Sequence, residues 1–167
     1  MRAARGFTVI EMLIVVAVLA ILATLATPDL RRFIIESRVR SSAMEFMGDL
    51  YYARSAAIRL NTVVTVQGTG GGTDWSNGWL VTCTTPAAAC AAPLRTHGAI
   101  EGVVINAGVA SFAYAMDGRL DGLAGQTMFV TPGPNPSQDV HMRCVNIDMS
   151  GRPAITVDRD TDSTNGC

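Results

Sequence analysis

The chain has 167 residues, 49% apolar and only 16% charged, well below the usual share for a soluble domain, so some stretch must be locally uncharged. Its 13 basic residues balance 14 acidic ones to a net charge of −1, which excludes a global basic field for nucleic acid or acidic lipid. All the basic residues are arginine. With no lysine there is no Schiff-base amine and no P-loop lysine, so the run Gly68 to Gly72 reads as a flexible loop and not a nucleotide cradle.

Met1 to Gly6 carry Arg2 and Arg5, and from Phe7 to Ala26 the chain is apolar except for Thr8, Glu11 and Thr24. As a helix this stretch is about 30 Å long, enough to span the hydrocarbon core of a bilayer. Arginines before it and none after it until Arg31 favour a cytoplasmic N-terminus and export of the rest. Glu11 is costly there, by roughly 2.5 to 3.5 kcal/mol at mid-membrane and less near the end. One reading is a shallow glutamate that reaches for the interface. The other requires a cut between Gly6 and Phe7. Glu11 then lies in the first turn, near the positive end of the helix dipole and within reach of a free α-amine, its own or a neighbour's. An ordinary secretory signal cut after Thr24-Leu25-Ala26 is the competing reading, opposed by the internal charge and by the lack of a break before the next helix. The mature chain would start at Phe7 in one case and at Thr27 in the other.

The residues Gly6-Phe7-Thr8-Val9-Ile10-Glu11-Met12-Leu13, after a short basic leader and before an apolar helix, resemble the type III signal of type IV pilins and type II secretion pseudopilins. This resemblance implies a leader, 1–6, removed by prepilin peptidase after Gly6, N-methylation of Phe7, and a role for Glu11 in docking subunits during assembly.

Pro28 follows the apolar stretch, where its ring and missing N–H predict a kink in a continuing helix. The transmembrane and assembly helix is therefore assigned to 7–28 and an amphipathic helix to 29–61. In the latter, Val39, Ala43, Phe46, Leu50, Ala53, Ala57 and Leu60 recur at steps of four and three, laying one apolar stripe along one side. The other faces carry Arg31, Arg32, Glu36, Arg38, Arg40, Glu45, Asp49, Arg54 and Arg59. These are expected in solvent or against neighbours in an assembly, with Glu36 and Arg40 spaced for an i,i+4 pair. A coiled coil is the weaker reading of the stripe, because sustained e/g charge pairing is missing. Asn61 suits the left-handed residue that closes such a helix.

Beyond Asn61, β-branched and aromatic runs alternate with turns rich in Gly, Pro, Asn and Asp, which predicts antiparallel β structure over 62–167. The runs are Thr62 to Gln67, Gly78 to Thr82, Gly102 to Asn106, Val109 to Met116, Thr127 to Thr131, Val140 to Asp148 and Pro153 to Asp158. Asp117-Gly118 reads as a turn and Pro132 to Pro136 as an irregular loop.

Ala53-Arg54-Ser55-Ala56-Ala57-Ile58-Arg59 before a Val-rich strand resembles the helix end of the GspH/FimT branch of minor pilins and pseudopilins. Asp117-Gly118-Arg119 and Ser150-Gly151-Arg152 resemble turns near that branch's C-terminal end, and Gly70 to Ser76 and Thr84 to Pro93 look like variable insertions. The resemblance implies an α+β, lollipop-shaped pilin fold, a long N-terminal helix packed on an antiparallel sheet domain. It implies a minor type IV pilin in a priming or tip complex, first in the bacterial inner membrane with its C-terminal domain in the periplasm and then in a fibre. Its partners would be other minor pilins, a major pilin, prepilin peptidase and the inner-membrane assembly platform. The same resemblance admits a GspH-like minor pseudopilin of a type II secretion system.

Cys83, Cys90, Cys144 and Cys167 all lie in the exported half, where disulfides persist, and three pairings are open. Cys83 with Cys90 as a hairpin-tip staple, and Cys144 with Cys167 pinning an Asp-rich tail, are the favoured set. Zinc, with His97 and His141 as extra ligands, is disfavoured because no C-x-x-C or H-x-x-x-H spacing occurs. No cofactor or metal is expected, and no catalytic constellation is present in the sequence: the two histidines are isolated and read as ordinary surface or strand residues, and no G-x-S-x-G occurs.

DNA capture is the reading from another class, because FimT-like members bind DNA through a C-terminal Gly-Arg-x-Arg motif. Here the corresponding residues are Gly151-Arg152-Pro153-Ala154, so the second arginine is replaced by alanine. Residues 62–167 carry 5 arginines against 9 acidic groups, a repulsive background for phosphate. Arg119, Arg143 and Arg152 would be the contacts.

Overall fold

The computed structural model describes residues 7–84, 90, 93–122, 125–133 and 140–158, apart from the side chains of 25–28. The chain divides into two compact units, Met1–Ile34 and Ile35–Cys167.

The first unit is helical. Helix α1, Val9–Leu60, begins in it and runs on through Pro28, so the proline does not end the helix; the Pro28 side chain, on which the expected kink rests, lies outside the described residues. Among the described residues no single helix is long and apolar enough to cross a membrane; Val9–Thr24 taken together with Asp29–Leu60 is, by length and composition.

In the second unit the helical stripe turns inward. Val39, Ala43, Phe46, Leu50, Ala53 and Ala57 are fully buried, and Leu60 is partly buried against them. The helix closes on Asn61, whose φ is +49°. Thr62 donates its N–H to Ala57 O at 3.2 Å and Asn61 donates to Ile58 O at 3.4 Å, the paired bonds of a Schellman cap.

Among the described residues eight strands follow: β1 Val64–Gly68, β2 Trp79–Cys83, β3 Arg95–His97, β4 Val103–Asn106, β5 Ser111–Tyr114, β6 Gln126–Pro132, β7 Arg143–Ile147 and β8 Pro153–Val157. Each of the seven runs expected from sequence overlaps one of them, β1, β2 and β6 extending a residue or so beyond the run. The strand without a sequence signal is β3, whose Arg-Thr-His has no apolar alternation. The β structure is antiparallel, as expected, and forms two four-stranded sheets, ordered β3-β2-β1-β5 and β4-β6-β7-β8. Alternate residues of both, including Val64, Val66, Val81, Ile105, Met128, Val130, Val145 and Ile147, join the helical stripe in one core. Phe46 meets both tryptophans edge-on, with centroids 5.9 Å from Trp75 and 4.9 Å from Trp79.

Gly68 and Asp49 depart from what the sequence predicts. Gly68 is no part of a free loop: it ends β1, and a Cβ there would press on the Trp75 indole at 2.5 Å. Asp49 does not face solvent. It is 2% exposed, accepting the Trp79 indole N–H at 2.9 Å and the Arg95 Nε at 2.8 Å. Those two donors make its burial tolerable.

Cys83 and Cys90 form a disulfide. Cys144 is also disulfide-bonded, while Cys167, its expected partner, lies outside the described residues, as do Gly6 and Pro134 to Pro136.

Candidate assembly sites

At the start of the first unit, Thr8 and Glu11 form a reciprocal capping box. The Thr8 N–H donates to Glu11 Oε2 at 3.0 Å, and the Glu11 N–H donates to Thr8 Oγ1 at 3.3 Å. This holds the carboxylate on the first turn, beside Phe7, which is 82% exposed. Behind it the helix is apolar all round. Ile10, Leu13, Ile14, Val16, Leu19, Ile21 and Leu22, which together point all round the axis, are each more than half exposed. An apolar helix with no polar face has its burial supplied from outside the unit.

The second unit brings together three stretches that lie far apart in the sequence. Arg54, on α1, donates Nε to Gly118 O at 2.8 Å and Nη2 to Ser150 O at 3.4 Å. It thereby ties together the turns 117–119 and 150–152. Both turns need glycine: Gly118 and Gly151 have φ near +78° and +77°, and a Cβ on Gly151 would collide with the Gly118 carbonyl. The Asp148 carboxyl is held below the usual carboxylate range by the Ser150 hydroxyl, at 2.6 Å, and by the Arg152 N–H, at 2.9 Å. Sequence reading noted all three motifs but placed Arg54 among the solvent-facing charges. The available clue was a guanidinium one position from the buried Ala53, in reach of carbonyls freed by two tight turns.

Arg119 and Arg152 stand exposed on those adjoining turns, while Arg143 is at the other end of β7, its side chain 14% exposed and 3.4 Å from Glu36. The three arginines considered for DNA therefore do not form one surface. Glu36, expected to pair with Arg40 along the helix, instead bonds across the fold. His97 stacks on Trp79 with centroids 4.0 Å apart, and its Nε2 lies 3.3 Å from Glu45, which makes it a brace between β3 and the helix. His141 is half-buried, with Nδ1 unpartnered among the described residues. No three His, Cys, Asp or Glu side chains converge to hold a metal among the described residues.

Residues 1–27 match the prokaryotic N-terminal methylation motif. Residues 42–151 match the family described as type II transport protein GspH, and the chain belongs to that family. No curated protein matches. A solved structure of the type IV minor pilin FimU from Pseudomonas aeruginosa is similar, with a TM-score of 0.61 and 21% identity over 78% of this chain and 96% of that one. A second crystal form of FimU gives 0.58 and 22%, over 77% and 98%. The minor pseudopilin EpsH from the Type 2 Secretion System of Vibrio cholerae gives 0.54 and 12%, over 72% and 97%. At these identities the likenesses concern the fold, an α+β arrangement of helix and antiparallel sheets.

Proposed function

We propose that this chain is a minor type IV pilin, a structural subunit and not a catalyst. It is anchored in the inner membrane by 7–28, with 29–61 and the β-rich 62–167 in the periplasm, and it enters a priming or tip complex after removal of 1–6. The observation that carries this reading is the helix from Val9 to Thr24, apolar on every face and exposed along its length, with its single carboxylate, Glu11, at the end where cleavage would create an amine. Cutting after Gly6 frees the Phe7 amine for methylation. The Glu11 carboxylate then offers a partner to the amine of an adjoining subunit, an ion pair that apolar surroundings strengthen. Other minor pilins, a major pilin, prepilin peptidase and the assembly platform are the partners this route requires.

Mass spectrometry of native material should show a chain starting at methylated Phe7; a retained leader, or a start at Thr27, would defeat the reading. Glu11→Val should insert normally and be depleted from fibres by tenfold or more. A GspH-like role in type II secretion uses the same contacts. Deleting the gene separates the two systems, since surface fibres are lost in one case and enzyme secretion in the other.

A further inference from the structure

Two sheets give four edge strands, and three of those edges are guarded. Outside β4, Ile105 accepts the Trp75 N–H at 2.8 Å and donates to Ser76 Oγ at 3.2 Å. Outside β5, Ala113 O accepts the Asp121 N–H at 2.9 Å and Tyr114 bridges to Leu120. The third edge, β3, is three residues long and carries Arg95 and His97. Short length and charge both discourage pairing.

β8 is different. Its outer residues follow from the ladder. Asp148 donates to Arg152 O and Asp158 to Met142 O, so Ala154 and Thr156 bond inward to β7 and the N–H and C=O groups of Ile155 and Val157 point away from it. The strand has no charged residue. Pro153 closes one end: it has no N–H, and its carbonyl accepts the Tyr51 hydroxyl at 3.1 Å.

Beside this edge lies a groove of about 420 Å³ lined by Arg40, Met44 and Met47 of α1 and by Arg143, Ile155 and Val157 of β7 and β8. Met44 and Val157 are 47% and 44% exposed. The groove is basic as well as apolar. Arg143 Nε is buried and unpartnered among the described residues, and the contact of its Nη2 with Glu36 is long, at 3.4 Å. A buried guanidinium donor without an acceptor is a costly arrangement that an incoming carboxylate would relieve.

We infer that the β8 edge and this groove receive an extended segment of a different prepilin-type subunit, one that pairs with Ile155 and Val157 as an added strand. Apolar side chains of that segment pack on Met44 and Met47, and an Asp or Glu bonds Arg143 and Arg40. The backbone groups of Ile155 and Val157, unpaired among the described residues, supply the pairing, and the two guanidiniums select the acidic residue. A second copy of this chain and a helical partner are the alternatives. The inference rests on the assembly role proposed above.

The test uses the full chain, made in its own host with the photo-crosslinker p-benzoylphenylalanine at Val157, at Met44 or, as a reference within the assembly helix, at Ile14. Irradiation at Val157 and Met44 should give adducts with another prepilin-type subunit, mapped by peptide mass spectrometry to an extended apolar segment containing Asp or Glu. Arg143→Glu should lower their yield at least tenfold and leave the Ile14 adduct intact. Arg40→Glu, at an exposed helical position where folding is not at stake, should lower it at least threefold. Adducts at Ile14 without any at Val157 and Met44 would overturn the groove and leave the assembly role standing; no adduct at any position would overturn both. An adduct with a second copy, with a helical segment, or one unchanged by both charge reversals would also overturn the inference.

Discussion

Val9, Ile10 and Ile21 are 80%, 66% and 62% exposed in the first unit, whereas Val39, Phe46 and Leu50, further along α1, are fully buried in the second. The side chains are equally apolar. What differs is periodicity: the early stretch is apolar in every direction, while the later one concentrates most of its apolar residues in one stripe opposite Arg40, Glu45 and Ser55. A stripe can be satisfied by the chain's own two sheets. An all-round apolar surface cannot, so the first unit must be solvated by lipid or by other subunits. One helix thus serves as intramolecular core at one end and as intermolecular contact at the other.

The contrast can be broken from either side. Urea unfolding of the detergent-extracted chain, followed by near-UV circular dichroism, reads the second unit. Phe46→Ala should have the largest effect, a loss of about 3 to 5 kcal/mol, because it empties the space between Trp75 and Trp79. Asp49→Ala should cost about 2 to 3 kcal/mol by stranding the buried Trp79 N–H; Arg95, whose side chain is half exposed, can turn to water. Asp49→Asn, which keeps an acceptor for the indole, should cost less. Replacing Cys83 and Cys90 by serine opens a link between residues 7 apart in sequence, with an expected loss of roughly 2 to 3 kcal/mol on the loop-entropy account.

Tyr114→Phe should act in the opposite direction. The Tyr114 hydroxyl is buried without a hydrogen-bond partner among the described residues, so removing it should stabilise by about 1 kcal/mol. Burial also raises the phenol pKa well above its ordinary value of 10.0. With the folded pKa above the unfolded one, the wild-type chain keeps its full stability below about pH 10 and loses it as pH rises further. The advantage of the variant should therefore widen in alkali. The smallest effect belongs to Glu11→Val, which should leave this unfolding curve within about 0.5 kcal/mol of wild type while removing the chain from fibres. A large shift in the curve would show that the two units do not divide the work as described.

Much of this division is legible in the sequence, because it is written in local periodicity. The stripe from Val39 to Leu60 and the Asn61 cap need only a 3.6-residue repeat and one tolerant left-handed position. The Thr8 to Glu11 segment is readable because charge is rare among apolar neighbours. Asp49 and β3 were not legible for one shared reason. The carboxylate is buried only because Arg95 and Trp79 reach it, and Arg95-Thr96-His97 is a strand only because β2 and the helix supply partners, with Tyr52 beneath the Arg95 guanidinium at 5.3 Å. Neither residue pattern reveals a partner dozens of positions away. The division into two sheets and the edge of β8, unpaired among the described residues, are likewise properties of pairing, on which composition is silent.

Both tryptophans of the chain, Trp75 and Trp79, are fully shielded and touch the same phenylalanine. The intrinsic ultraviolet emission of the molecule therefore originates in one half alone, quenched or shifted by whatever disturbs Phe46, Asp49 or His97. The anchoring half is optically dark, so a fluorescence trace recorded during fibre growth would register strain in the β-rich head without interference from the stem.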